Sequence, residues 1–185
     1  MGATKLFTPK KKKMENKVMS APTKGLIIGA VLALISIAMQ ITVTDYSKMQ
    51  PLGYATYAIT IGALIWACIK YSQDMQGRVT FGNVFAHGFQ VTAVVTLILL
   101  AVSLLSLFVL FPEMKEKALD AARAEMEKDG NLSETQIDQA IQMTAKFFTP
   151  FMIAGAIIGN LILGAIGSLI GAGVAKKGAP AEPFN

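Results

Sequence analysis

Four long stretches of this chain carry no charged residue, and they constrain its fold more than any other feature. They cover residues 25–44, 49–69, 79–112 and 147–175, so each spans at least 20 positions. A helix needs about 20 apolar residues to cross the hydrocarbon core of a bilayer, and backbone inside lipid must satisfy its own hydrogen bonds. The 17 basic and 12 acidic residues all fall outside these stretches. The sequence therefore predicts an all-α integral membrane four-helix bundle.

The predicted spans are residues 25–44, 52–71, 87–111 and 150–174. The second span has the fewest strongly apolar residues, and its alternative is a re-entrant or interfacial segment. For the fourth span, Thr149 is the expected N-cap and Pro150 the first helical position. The chain divides into a basic leader (1–24), spans one to three (25–111), a connecting loop (112–148), span four (149–175) and a tail (176–185). Residues 1–13 precede Met14 and are either a disordered leader or a start-site error.

The distribution of lysine and arginine predicts the orientation of the spans. Basic residues favour the cytoplasmic side. With both termini inside, 11 basic residues face the cytoplasm and six face the other side, five of them in the long third loop. We therefore expect a multi-pass membrane protein with both termini cytoplasmic. The run Lys10–Lys13 is interpreted as a topology determinant beside anionic headgroups rather than as a nucleic-acid site.

The loop at 112–148 has the pattern of an extracytoplasmic helical hairpin. Its first helix should end at Gly130. Ser133 and Gln136 form the sequence signature of a capping box that begins the second helix. The loop is either a partner-binding or gating cap, or a solvated connector whose charges keep it soluble. The connector is the simpler interpretation.

Few residues in the chain are suited to chemistry. The chain has one cysteine, Cys68, and one histidine, His87. We expect the first to be a small buried side chain and the second to be an interfacial hydrogen-bonding group. No carboxylate falls inside a predicted span, and no catalytic constellation, metal cluster or phosphate loop appears. We therefore expect no enzyme activity, no cofactor and no metal.

The sharpest pattern is two neighbouring rows of small residues in the fourth span. One row reads Gly155, Gly159, Leu163, Gly167 and Gly171, and the adjacent row reads Ala156, Asn160, Gly164, Ser168 and Ala172. Small residues at this spacing let membrane helices approach closely, and Asn160 is placed to bond across such a contact. Gly25 and Gly29 offer a similar row in the first span. The partner is either another span of this chain, a second copy of it, or another membrane protein.

Several of these segments together resemble a known family. The leader runs into residues 25–29 (GLIIG), the second loop contains residues 77–85 (GRVTFGNVF) before Gly88, and the long loop precedes Pro150. This combination is similar to the small four-span membrane proteins of Bacteroidota catalogued as domain of unknown function 4199, over about residues 15–177. The resemblance implies a bacterial inner-membrane protein with no established activity, and it carries over no catalytic residue.

The sequence is compatible with two functions. The first is a non-enzymatic membrane protein that packs with itself or with another membrane protein in the lipid bilayer. The second is a small transporter or channel in which polar residues of spans three and four line a path. The absence of carboxylates from the predicted spans favours the first, because such residues usually mark ion pathways.

Overall fold

A computed structural model describes residues 18–42 and 46–175, and it describes residues 46–51 by their backbone alone. These residues form helices α1 (Ala21–Thr42), α2 (Tyr46–Asp74), α3 (Phe81–Leu105), α4 (Met114–Asp129) and α5 (Glu134–Val174). A short π-helical segment, Ser106–Leu110, extends α3. No strand occurs within the described ranges. The expected all-α class is confirmed.

Four of these segments are long and apolar enough to cross a membrane: Ala21–Thr42, Leu52–Asp74, Phe81–Leu110 and Glu134–Val174. The second is part of an unbroken helix of 29 residues. The fold is therefore a helical membrane bundle with four spans, as the charge-free stretches predict.

The first and third helices begin earlier than the predicted spans, because their caps lie upstream of the first residues predicted for those spans. The Ser20 side chain accepts a hydrogen bond from the backbone N–H of Thr23 at 3.3 Å, at the start of α1. Thr80 caps α3 in the same way, accepting from the N–H of Asn83 at 3.2 Å. Such caps satisfy backbone donors that have no partner inside the helix. As a result Lys24, which the sequence assigned to the solvated leader, lies inside α1.

The predicted helix start at Thr149 and Pro150 is wrong. Both residues lie inside α5, which is continuous over 41 residues. The helix begins instead at the capping box, where Gln136 Oε1 accepts from the backbone N–H of Ser133 at 2.9 Å. A proline inside a helix removes one backbone hydrogen bond, but neighbouring groups can compensate for it in membrane helices. At 1.5 Å per residue α5 is about 60 Å long, so it extends well beyond one bilayer core.

The helical hairpin is present, and its turn has the expected geometry. Gly130 ends α4 in the left-handed conformation, with φ at 65°. Arg123 on α4 donates a hydrogen bond to Asp138 on α5, and this contact raises the pKa of the guanidinium. None of the α4 residues is fully buried, whereas Ile137 at the start of α5 is. The hairpin therefore combines its turn, its cap and the ion pair of Arg123 with Asp138 with one buried apolar side chain, Ile137.

The packed core lies at one end of the bundle, where α1 and α3 begin and α2 and α5 end. We call this the closed end. Helix α3 contacts α1, α2 and α5, whereas α1 and α2 touch each other little. The core residues of the closed end form two adjoining clusters. The first contains Ile28, Leu32, Leu64, Val91 and Val95, and the second contains Cys68, Val79, Val84 and Ala172. At the opposite end, the open end, α5 has no buried residue from 138 to 163.

Candidate functional site

The glycines of the first span lie against α3. A Cβ atom added at Gly25 would lie 2.6 Å from the Cβ of Val94 and 3.0 Å from the carbonyl oxygen of Val91. One added at Gly29 would lie 2.6 Å from Ile98 Cδ1. Real Cβ atoms do not approach other atoms this closely, so a side chain at Gly25 would push α1 and α3 apart, whereas at Gly29 the nearest atom is the movable end of the Ile98 side chain.

The second half of the α5 rows lies against the other spans of the same chain. A Cβ at Gly164 would collide with the Thr92 side chain on α3. At Gly167 the neighbour is Leu64 on α2, whose Cβ would lie at 3.1 Å, and at Gly171 it is Cys68, at 2.7 Å. Ser168 is fully buried between these positions. Helix α5 therefore meets α2 and α3 through its small residues at the closed end.

A further glycine at this contact lay outside the predicted rows. A Cβ at Gly88 on α3 would lie 2.5 Å from the Cys68 sulfur and 2.6 Å from the Ser168 hydroxyl oxygen. Gly88 stands one helical turn before Thr92, and the structure places both residues against the small residues of α5. An isolated glycine in a membrane helix did not by itself indicate which neighbour it faces.

The first half of the α5 rows has a different environment. No described atom of another helix lies within 4 Å of a Cβ built at Gly155 or Gly159; Gly155 is exposed and Gly159 is half-buried. Asn160 donates from its side-chain nitrogen to the carbonyl oxygen of Ala156 in its own helix, at 2.9 Å. This amide hydrogen bond therefore does not cross to another span. Within one row of α5, Gly167 and Gly171 therefore pack against another span of the same chain, whereas Gly155 and Gly159 have no described neighbour from another helix.

The most unusual group in the bundle is a fully buried lysine at the closed end. The side chain of Lys24 has no exposed surface. Its ammonium donates to the carbonyl oxygen of Ala67 on α2 at 3.3 Å and lies 3.9 Å from Asp74 Oδ2. Asp74 also pairs with Lys70, at 3.2 Å. An isolated buried charge would be unstable, so these contacts explain how α1 keeps a lysine among the spans.

An aromatic pair lies beside this lysine. The rings of Tyr71 and His87 stack with centroids 4.0 Å apart and planes 8° from parallel. The Lys24 ammonium lies 5.7 Å from the Tyr71 ring centroid, within the range of a cation–π contact. His87 is 7% exposed, and its Nε2 atom has no hydrogen-bond partner among the described residues. We call Lys24, Tyr71, Asp74 and His87 the Lys24 cluster.

This cluster adds two features that the sequence did not predict. Lys24 was assigned to the leader, yet it lies within α1, and its partner Asp74 lies at the end of α2, beyond the predicted second span. His87 was expected to be an interfacial hydrogen-bonding group; in the structure it is buried and stacked on Tyr71. Charge-free stretches cannot reveal a charged residue at their own boundary that is neutralised by a partner from another helix. The spacing of Lys70 and Asp74, four residues apart, was the one local indication of a helical ion pair.

Buried hydroxyl groups continue along α3 toward the open end. Thr92 donates to the carbonyl oxygen of Gly88 at 3.0 Å. The hydroxyl oxygens of Thr96 and Ser106, and that of Ser168 on α5, have no partner within the described chain. Since Gly88 faces Ser168 and Thr92 faces Gly164, the antiparallel register places Thr96 at the level of Asn160. These are the residue types that the path hypothesis requires.

No group of three or more histidine, cysteine, aspartate or glutamate side chains in the described ranges could hold a metal ion. The arrangement consists instead of tight glycine contacts, one buried ion pair and scattered hydroxyls. Together with the four spans, these features define the protein as a helical, multi-pass membrane protein.

The family assignment is more specific. Residues 23–177 match the family described as protein of unknown function (DUF4199), so the chain belongs to it. This confirms the resemblance seen in the sequence. No curated protein and no solved structure matches the chain.

Proposed function

We propose that this protein is a non-enzymatic membrane protein that acts by associating with a second membrane helix through α5. The observation that carries the proposal is the uncovered pair Gly155 and Gly159. Two glycines four residues apart form the small-xxx-small pattern through which membrane helices pack. The same row is closely packed at Gly167 and Gly171 but has no described neighbour at the open end. The partner is a second copy of the chain or another membrane protein.

The direct test replaces each uncovered glycine by leucine. Gly155→Leu and Gly159→Leu should reduce association by about tenfold, which corresponds to 1.4 kcal/mol. Thermal stability should stay unchanged, because neither side chain meets another span of the same chain. The matched control is Gly173→Leu, which also projects into open space on α5 but lies outside the row. Association is measured by concentration-dependent energy transfer between labelled copies in liposomes, and by co-purification from native membrane.

These measurements separate the possible results. Equal loss in the control variant would indicate a general effect of leucine rather than a specific contact. A wild-type protein that stays monomeric at all concentrations and retains no partner would refute the proposal.

We further propose a bacterial inner-membrane location with both termini cytoplasmic. The lysine distribution supports this orientation, although Lys24 is buried and no longer counts as a solvated charge. The test uses Asn131→Cys in a Cys68→Ala background, labelled in intact spheroplasts with a membrane-impermeant maleimide. Asn131 lies between α4 and α5, so labelling is expected from outside. Protection of this position until the membrane is broken would reverse the orientation.

The second candidate is a small transporter or channel. The partnerless hydroxyls of Thr96, Ser106 and Ser168 support it, since buried polar groups normally have a partner or an ordered water. The closeness of Gly88 and Gly164 to their neighbours opposes it, because these contacts fill the α3–α5 interface at the closed end. A proteoliposome flux assay distinguishes the candidates. Flux that is lost in Thr96→Val and retained in Thr42→Val would favour transport over association.

A further inference from the structure

His87 is a buried titratable side chain that association through α5 does not use. We propose that His87 is a proton-binding site, and that its protonation loosens the closed end by disturbing the ion pair between Lys24 and Asp74. The proposal rests on the arrangement of the Lys24 cluster and is independent of how the open end is used.

The charges around His87 determine what an added proton would meet. Helix α1 contributes Lys24, and α2 contributes Cys68, Lys70, Tyr71 and Asp74. From α5, the part of the chain that the structure describes contributes no ionisable group here, because residues 147–175 contain none. Asp74 is thus the one carboxylate among these groups, and it already lies near the ammoniums of Lys24 and Lys70. A protonated His87 would be a third cation sharing a single anion.

The closed arrangement cannot easily accommodate that third cation. His87 is nearly inaccessible, and no described acceptor faces its Nε2 atom. A buried charge without a partner is strongly disfavoured. If the ends of α1 and α3 separate, water or lipid headgroups can solvate the imidazolium. The loosened state therefore binds the proton more readily than the closed state does.

Tyr71 connects the proton site to the ion pair. Its ring stacks on His87 and also lies near the Lys24 ammonium. A movement of the imidazole therefore displaces the ring that helps to hold Lys24 against α2. Since Lys24 is the hydrogen-bonded link from α1 to the Ala67 carbonyl, the effect reaches the contact between α1 and α2.

The sign of the pH dependence follows from proton binding. Because the loosened state holds more protons than the closed state, acid favours loosening. For one proton, the ratio of loosened to closed protein rises by at most about tenfold for each unit of pH. The chain has a single histidine, so a histidine-dependent transition can be assigned without ambiguity.

The native Cys68 is a suitable reporter, because it is the only cysteine and is fully buried at the closed end. The full chain in lipid nanodiscs is labelled with a maleimide between pH 8 and pH 5.5. Each rate is divided by the rate for the protein unfolded in detergent at the same pH, which corrects for the thiolate fraction. The normalised rate should rise about tenfold or less per unit as the pH falls through the titration of His87.

His87→Phe is the decisive variant, because it keeps an aromatic ring against Tyr71 and cannot bind a proton. Its normalised rate should be independent of pH. The control is His87→Phe with Gln90→His, which restores a histidine at an exposed position of α3; it should also give a flat profile. A pH response in either variant, or none in the wild type, would overturn the proposal.

A measurement on the wild-type protein tests the proposal even if the His87→Phe variant fails to fold. The proton NMR resonance of the single histidine should titrate with the same midpoint as the labelling rate of Cys68. Separate midpoints would show that loosening is not linked to His87 and would refute the inference.

Discussion

Lys24 is a buried cation whose ammonium depends on groups from a neighbouring helix. Its carboxylate partner, Asp74, keeps 11% of its side-chain surface and has a second cation in Lys70. The two members of this pair are therefore not equivalent. Without Asp74, Lys24 would remain a buried charge whose remaining contacts among the described residues are the Ala67 carbonyl and the Tyr71 ring. Without Lys24, Asp74 would still have Lys70 and access to solvent.

Because the two members of the pair are not equivalent, the two single substitutions should lower the free energy of unfolding by different amounts. Asp74→Asn should destabilise the bundle by about 3 kcal/mol, the low end for removing one partner of a buried pair. Lys24→Met should cost less than about 1 kcal/mol, because the thioether fills similar space and leaves no uncompensated buried charge. The double variant should recover most of the loss seen in Asp74→Asn. Unfolding in mixed micelles measures all three, and equal costs for both single variants would contradict the argument.

At the scale of helices, α5 shows how a membrane changes the meaning of a proline. In water, Pro150 after a polar loop indicates the start of a helix, and Thr149 is a plausible cap. In the structure the stronger start signal is the capping box at Ser133 and Gln136, which is satisfied by direct hydrogen bonds. The helix then continues through Pro150 into the span. The signals at Thr149 and Pro150 therefore indicated the helix of the fourth span correctly. They placed its first residue 16 positions too late, at Pro150 instead of Glu134.

The same continuity predicts the effect of removing the proline. Pro150→Ala restores one backbone N–H and relieves the clash of the ring with the preceding turn, a cost of about 3 kcal/mol in an unconstrained helix. The midpoint of thermal unfolding should therefore rise, and amides near Phe147 should exchange more slowly with deuterium. Ala154→Pro, placed one turn later, is the reciprocal variant and should lower the midpoint. A lower midpoint in Pro150→Ala would mean that a kink at this position is required for the fold.

For the whole molecule, the sequence was most informative about what the bilayer imposes and least informative about which helices meet. Charge-free stretches identify four spans because lipid excludes charges from each helix separately. Contacts such as Lys24 with Asp74, or Gly88 with Ser168, depend on the relative rotation and register of two helices. No single stretch of sequence determines these. The α5 rows were visible as small residues, but their division between internal packing and open space was not.

That division predicts that one row of glycines has two separable roles in the molecule. Gly167→Leu should reduce the stability of the monomer by about 1–3 kcal/mol, because the new side chain would overpack against Leu64 on α2. Gly159→Leu, two helical turns earlier, should leave stability unchanged and weaken association. Both variants add the same side chain to the same helix face, so each controls for the hydrophobicity of the other. Unfolding and energy transfer are measured on the same liposome samples. If Gly159→Leu lowers stability as much as Gly167→Leu does, the open end is packed within the monomer and α5 has no free surface for a partner.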